Sequence, residues 1–353
     1  MPRPPDLENL KIESTQAFED VNELLYRLGL TDGLPIVPPT AMRIEAMLGG
    51  RDPEHGLPDL LPPLRGRGTF RKLAMCAVMA GCRPAYFPIL LAATEAVAQP
   101  EFNLFGIQTT TGNATPLLIV NGPIAQSCDL NPGANALGPG AHSNATIGRA
   151  LRLILQNIGG AIPGYTDKAT LGQPGKFTFC CAENEGASPW EPLHVTRGYE
   201  AGQSTVTAIG AAGIIELVDA NSHSASSVLT TLAHSMAIAG TVGGGGILGG
   251  GEPVLLITPE HADLISQDYS RQQAQAFIYD HARLPLHQLP PESQERLRAD
   301  REAAGEDPNT DLRVSASPDD IVMVVVGGAG IKSAYVPTWG GTTRAVTRLI
   351  DQP

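Results

Sequence analysis

Thr115-Pro-Leu-Leu-Ile-Val120 decides the fold. This short, continuously apolar run is closed by Asn121-Gly122-Pro123 and reads as a buried strand. A glycine-rich loop from Gly133 to Ser143 follows and leads into a strong helical pattern over 145–158. Lys176-Phe-Thr-Phe-Cys-Cys-Ala182 is then a second buried-strand pattern. The same order recurs downstream. Glu252-Pro-Val-Leu-Leu-Ile257 matches the first run in type, Thr258-Pro259 follows it, a helical pattern covers 272–283, and Ile321-Val-Met-Val-Val-Val326 closes the series. The loops after the last strands superpose without a gap, with Ser188 on Ser333, Trp190 on Tyr335 and Pro192 on Pro337. The expected fold class is therefore α/β, with internally duplicated halves around a shared cleft. The charged stretch 288–312 reads as a surface excursion in the second half.

The chain before these halves has a different texture. A helix is expected over 17–28, and Asp32-Gly-Leu-Pro-Ile-Val-Pro-Pro-Thr40 follows it. Its three prolines enforce an extended path that cannot pair as an inner strand. A short helix over 41–48 and a loop-like stretch with Pro53, Pro58, Pro62 and Pro63 complete a Pro-rich wrapping segment. Alanine-rich helices over 71–80 and 86–98 come next, broken at Gly81-Cys82-Arg83-Pro84. The expected division is 1–68 for the wrapping segment, 69–204 for the first half and 205–353 for the second. Arms of this kind often embrace a neighbouring copy, so a homo-oligomer is expected.

Composition excludes several classes. The 353 residues hold 24 Lys+Arg against 36 Asp+Glu, and no basic run offers a track for phosphates, so nucleic acid is not the expected partner. The stretch 235–251 is uncharged but too rich in glycine to span a membrane, and MPRPPDLENL does not look like a signal peptide. Five cysteines without CxxC or zinc spacing predict reduced thiols and a cytoplasmic location.

The densest reactive stretch runs from Phe179 to His194. Neighbouring cysteines on a strand point to opposite faces, so Cys180 and Cys181 cannot both address one pocket. Either one, close to Glu183 or His194, is a candidate thiolate nucleophile, and the competing reading is a pair of small core residues. Glu183 and Glu185 share a face if the segment is extended. With His194 they form a candidate acid–base group, or alternatively a divalent-metal site. No other cofactor is favoured. Ser143, Asn144 and Arg149, at the start of the 145–158 helix, are candidate contacts for a carboxylated small-molecule substrate, with Ser143 or Asn144 otherwise a natural helix cap. Trp190, Gly328, Lys332 and Ser333 are the corresponding candidates on the two loops. The glycine run 240–251 reads as a lid or as a segment passing close to a ligand or a partner subunit.

DGLPIVPPT (32–40), AVMAGCRP (77–84), NATIGRALRLIL (144–155), GQPGKFTFCCAENEGASPWEPLH (172–194) and GGAGIKSAYVPTWGGTTRAVTR (327–348) resemble an uncharacterised bacterial family associated with small thiol or selenol proteins bearing a UGSC motif. The resemblance spans most of the chain and implies a link to thiol chemistry. The leading expectation is an enzyme acting on a polar, carboxylated metabolite by cysteine-thiolate and acid–base chemistry, as a lyase, hydrolase or thiol-dependent redox catalyst. A metal-dependent lyase or hydrolase using Glu183, Glu185 and His194 is one alternative. A non-catalytic subunit that binds a small thiol or selenol protein is the other.

Overall fold

The computed structural model describes Leu7, Lys11, Ile12 and residues 17–241, 251–340 and 343–351. The glycine run expected to form a lid falls mostly outside the described residues. Strands follow in chain order as β1 (Gly56–Leu61), β2 (Gly66–Thr69), β3 (Thr115–Asn121), β4 (Cys180–Ala182), β5 (Thr205–Ala211), β6 (Ile215–Val218), β7 (Val254–Ile257), β8 (Arg283–Leu284), β9 (Leu312–Arg313), β10 (Val322–Val325), β11 (Lys332–Val336) and β12 (Val346–Leu349). With the helices between them they make an α/β protein. Among the described residues no helix is long and apolar enough to cross a membrane.

The chain forms two compact units. The first holds residues 1–183, 194–210 and 345–353, and the second holds 184–193 and 211–344. This differs from the division expected at 68/69 and 204/205. The reason is a long-range ladder. β12 pairs antiparallel with β5, Val346 opposite Ala208 and Leu349 opposite Thr205, so the end of the chain returns to complete the first sheet.

The sheet of the first unit has the order β12-β5-β3-β4. β3 is buried at every position, as its unbroken apolar run requires. It runs parallel to β4, with Leu118 opposite Cys180 and Ile119 opposite Cys181. The strand expected over 176–182 is shorter than its pattern, because Pro174–Lys176 forms a 3₁₀ turn. The helix His142–Asn157 packs against the helix Phe70–Ala80 and against β4. Gly148 permits this approach, since a Cβ there would lie 2.7 Å from the Phe179 amide nitrogen.

The wrapping segment packs within this unit. Gln156 Nε2 donates to the carbonyls of Gly29 and Thr31, and Asn157 Nδ2 donates to that of Leu30. Arg149 grips Asp32 through two bonds of 2.7 and 2.9 Å and also donates to the Pro35 carbonyl. The extended Pro35–Pro39 path is thus held by its own chain.

In the second unit the sheet order is β10-β7-β11-β6. β10 runs parallel to β7 with Met323 opposite Leu255, and β11 is antiparallel to both β7 and β6. The helices Ala225–Met236 and Arg271–His281 cover a core that includes Leu229, Leu232, Leu255, Ile278 and Met323. Each unit therefore contains the strand pair that the apolar runs suggest. The internal duplication itself remains a reading of sequence pattern. The stretch 288–312 is more than a surface excursion. Its helix Pro291–Ala304 and the β8–β9 pair enclose a small core of Leu284, Leu286, Leu289, Leu297 and Leu312.

Candidate functional site

In the first unit, β4 carries both candidate nucleophiles into the interior. Cys181 is fully buried and Cys180 nearly so. Burial raises the Cys180 thiol well above its ordinary range. It pushes Cys181 up to about 12, with the Glu183 charge adding to the effect. A group held this far toward the neutral thiol is a poor thiolate nucleophile, which supports the core reading. Glu183 is buried after the strand, and its Oε2 accepts a 2.6 Å bond from Asn121 Nδ2. His194 is buried in the short helix Leu193–Thr196.

Asn144, expected to contact substrate, fastens the glycine-rich loop. Its Nδ2 donates to the carbonyls of Asn131 and Ala136, and its Oδ1 accepts from the Asn131 amide. Ser143 donates to the Asp129 carbonyl at 2.7 Å. Neither caps the helix, which begins one turn-position earlier behind Ala141. Arg149 is occupied by Asp32, as described above.

The remaining candidates lie in the second unit. Glu185 sits in a 3₁₀ turn, and Trp190 packs against the unit's core with the Arg271 guanidinium 5.9 Å from its ring centroid. Ser333 is buried on β11, 2.8 Å from His261 Nδ1, and accepts from the Thr258 amide. Lys332 is exposed on the same strand, and Gly328 lies in the loop after β10. Among the described residues no group of three or more His, Cys, Asp or Glu side chains could hold a metal ion.

A constellation not anticipated from sequence lies in a cavity of about 990 Å³ in the first unit. Three elements build it. Arg152 comes from the His142–Asn157 helix, one turn beyond Arg149. Asp167 comes from the loop after that helix, and Lys176 comes from the 3₁₀ turn before β4. Lys176 Nζ donates 2.7 Å bonds to both Asp167 oxygens. Arg152 Nη2 donates to the Ala161 carbonyl at 3.1 Å and lies 3.5 Å from Asp167 Oδ2. The Lys176 side chain is only 15% exposed, and burial lowers its pKa although the Asp167 bond and charge pull the other way.

The charges at this floor do not cancel. Arg149, Arg152 and Lys176 face Asp32 and Asp167, which leaves one positive charge in excess. Arg27, on the same cavity wall, is matched by Glu23. Among the described residues the other N–H groups of Arg152 and the third Lys176 proton meet no protein acceptor. A planar guanidinium and an ammonium in that state are suited to a carboxylate. The sequence signal was slight: Arg152 follows Arg149 by one helical turn, and Asp167 and Lys176 punctuate a glycine-rich stretch without any motif spacing. Against known proteins, no family model and no curated protein matches the chain.

Proposed function

We propose that the chain is an enzyme for a small carboxylated metabolite, which it holds in the cavity floored by Arg152, Asp167 and Lys176. The observation that carries this reading is the uncompensated positive charge beneath a cavity of about 990 Å³. A buried charge without a partner is unfavourable, so an anionic ligand completes the cluster.

Arg152 fixes the carboxylate in plane, and Lys176 contributes the second contact. Asp167 keeps the Lys176 ammonium oriented, while burial lowers its pKa from the ordinary lysine value, which makes Lys176 the acid–base group of the site. The reaction class is proton transfer close to the bound carboxylate, within the lyase or hydrolase chemistry expected from sequence. Five free cysteines support a reducing, cytoplasmic setting.

Titration calorimetry with small carboxylates tests the reading. Arg152→Met and Lys176→Met are each expected to weaken binding at least tenfold while melting cooperatively. Arg152→Met leaves Lys176 and Asp167 as a matched pair, so the fold is expected to survive. Unchanged affinity in both variants would remove the cavity from the mechanism.

A further inference from the structure

The cavity is charged at its floor and apolar at its mouth. Tyr26, Leu171 and Phe177 line it and are 63%, 89% and 47% exposed. These three side chains come from separate stretches: the first helix, the long loop, and the residue after the 3₁₀ turn. Ile162 and Pro163 supply further apolar wall. A compact polyacid would satisfy the floor yet leave this rim in water. The volume lies at the upper end of the range that ordinarily takes a drug-sized ligand, about 300–1,000 Å³.

We infer that the ligand is amphipathic: a monocarboxylic acid with an aromatic or branched aliphatic body. Its carboxylate sits on Arg152 and Lys176, and its body lies against Tyr26, Leu171 and Phe177. This rests on the proposed anion site and adds the class of molecule that fills it. Each methylene brought against the rim removes apolar area from water and from the exposed side chains together. The charged floor sets the orientation, because an anion at the apolar end would meet no donor.

The experiment measures dissociation constants for the straight-chain series from acetate to octanoate, for phenylacetate, and for malonate and citrate. The proteins are the full-length chain, Arg152→Met and the double variant L171S/F177S. Both residues substituted in the double variant are exposed, so it is expected to fold. In the parent protein, affinity is expected to rise roughly fourfold per methylene over the middle of the series. The double variant is expected to flatten that slope while keeping the acetate affinity, and Arg152→Met is expected to lose all members. A flat series, or tighter binding of malonate or citrate that depends on Arg152, would overturn the amphipathic class and leave the anion site standing. No binding of any compound would overturn both.

Discussion

Lys176 shows how one residue can link stability and binding. Burial lowers its pKa from the ordinary lysine value, so between the lowered value and 10.5 the unfolded chain binds more protons than the folded one. The unfolding free energy therefore rises with pH across that window as the cost of burying an ammonium is relieved. Carboxylate affinity moves the opposite way, because the ligand needs the proton in place. Melting temperatures and titrations from pH 7 to 10 check both slopes. Lys176→Met is expected to abolish the stability gain. Cys180 and Cys181 make the opposite case, since burial silences them. Neither is expected to react with iodoacetamide at pH 8 until denaturant is added, and alanine at either position is expected to leave carboxylate affinity unchanged. Rapid labelling of either thiol in the native protein would restore the thiolate reading.

The 142–157 helix does three jobs through residues spaced along it. Asn144 fastens the preceding loop, Arg149 with Gln156 and Asn157 holds the N-terminal arm, and Arg152 enters the cavity. The sequence announced the helix through its apolar period. It could not announce the division of labour, because Arg149 and Arg152 differ only in what distant segments bring to them. Arg149→Met would leave Asp32 buried without its cation and is expected to lower stability by about 3 kcal/mol. Adding Asp32→Asn to that variant is expected to recover part of the loss. Denaturant unfolding of the two single variants and the double variant measures the coupling.

Across the molecule, the α/β class was legible because continuously apolar runs have little alternative to being buried strands. The boundaries were not legible. They depend on β12 pairing with β5, a contact between segments more than a hundred residues apart that no local pattern encodes. The candidate cavity was hidden for the same reason, since its three charged residues come from a helix, a loop and a turn. Ala208 and Val346 face each other on the β5–β12 ladder, so almost the whole second unit enters and leaves the chain through a single rung. A stretch whose ends already meet adds little closure entropy to the strands that carry it. Residues 211–344 are thus a long insertion between two paired strands, so changes in their length are expected to cost the β5–β12 ladder little.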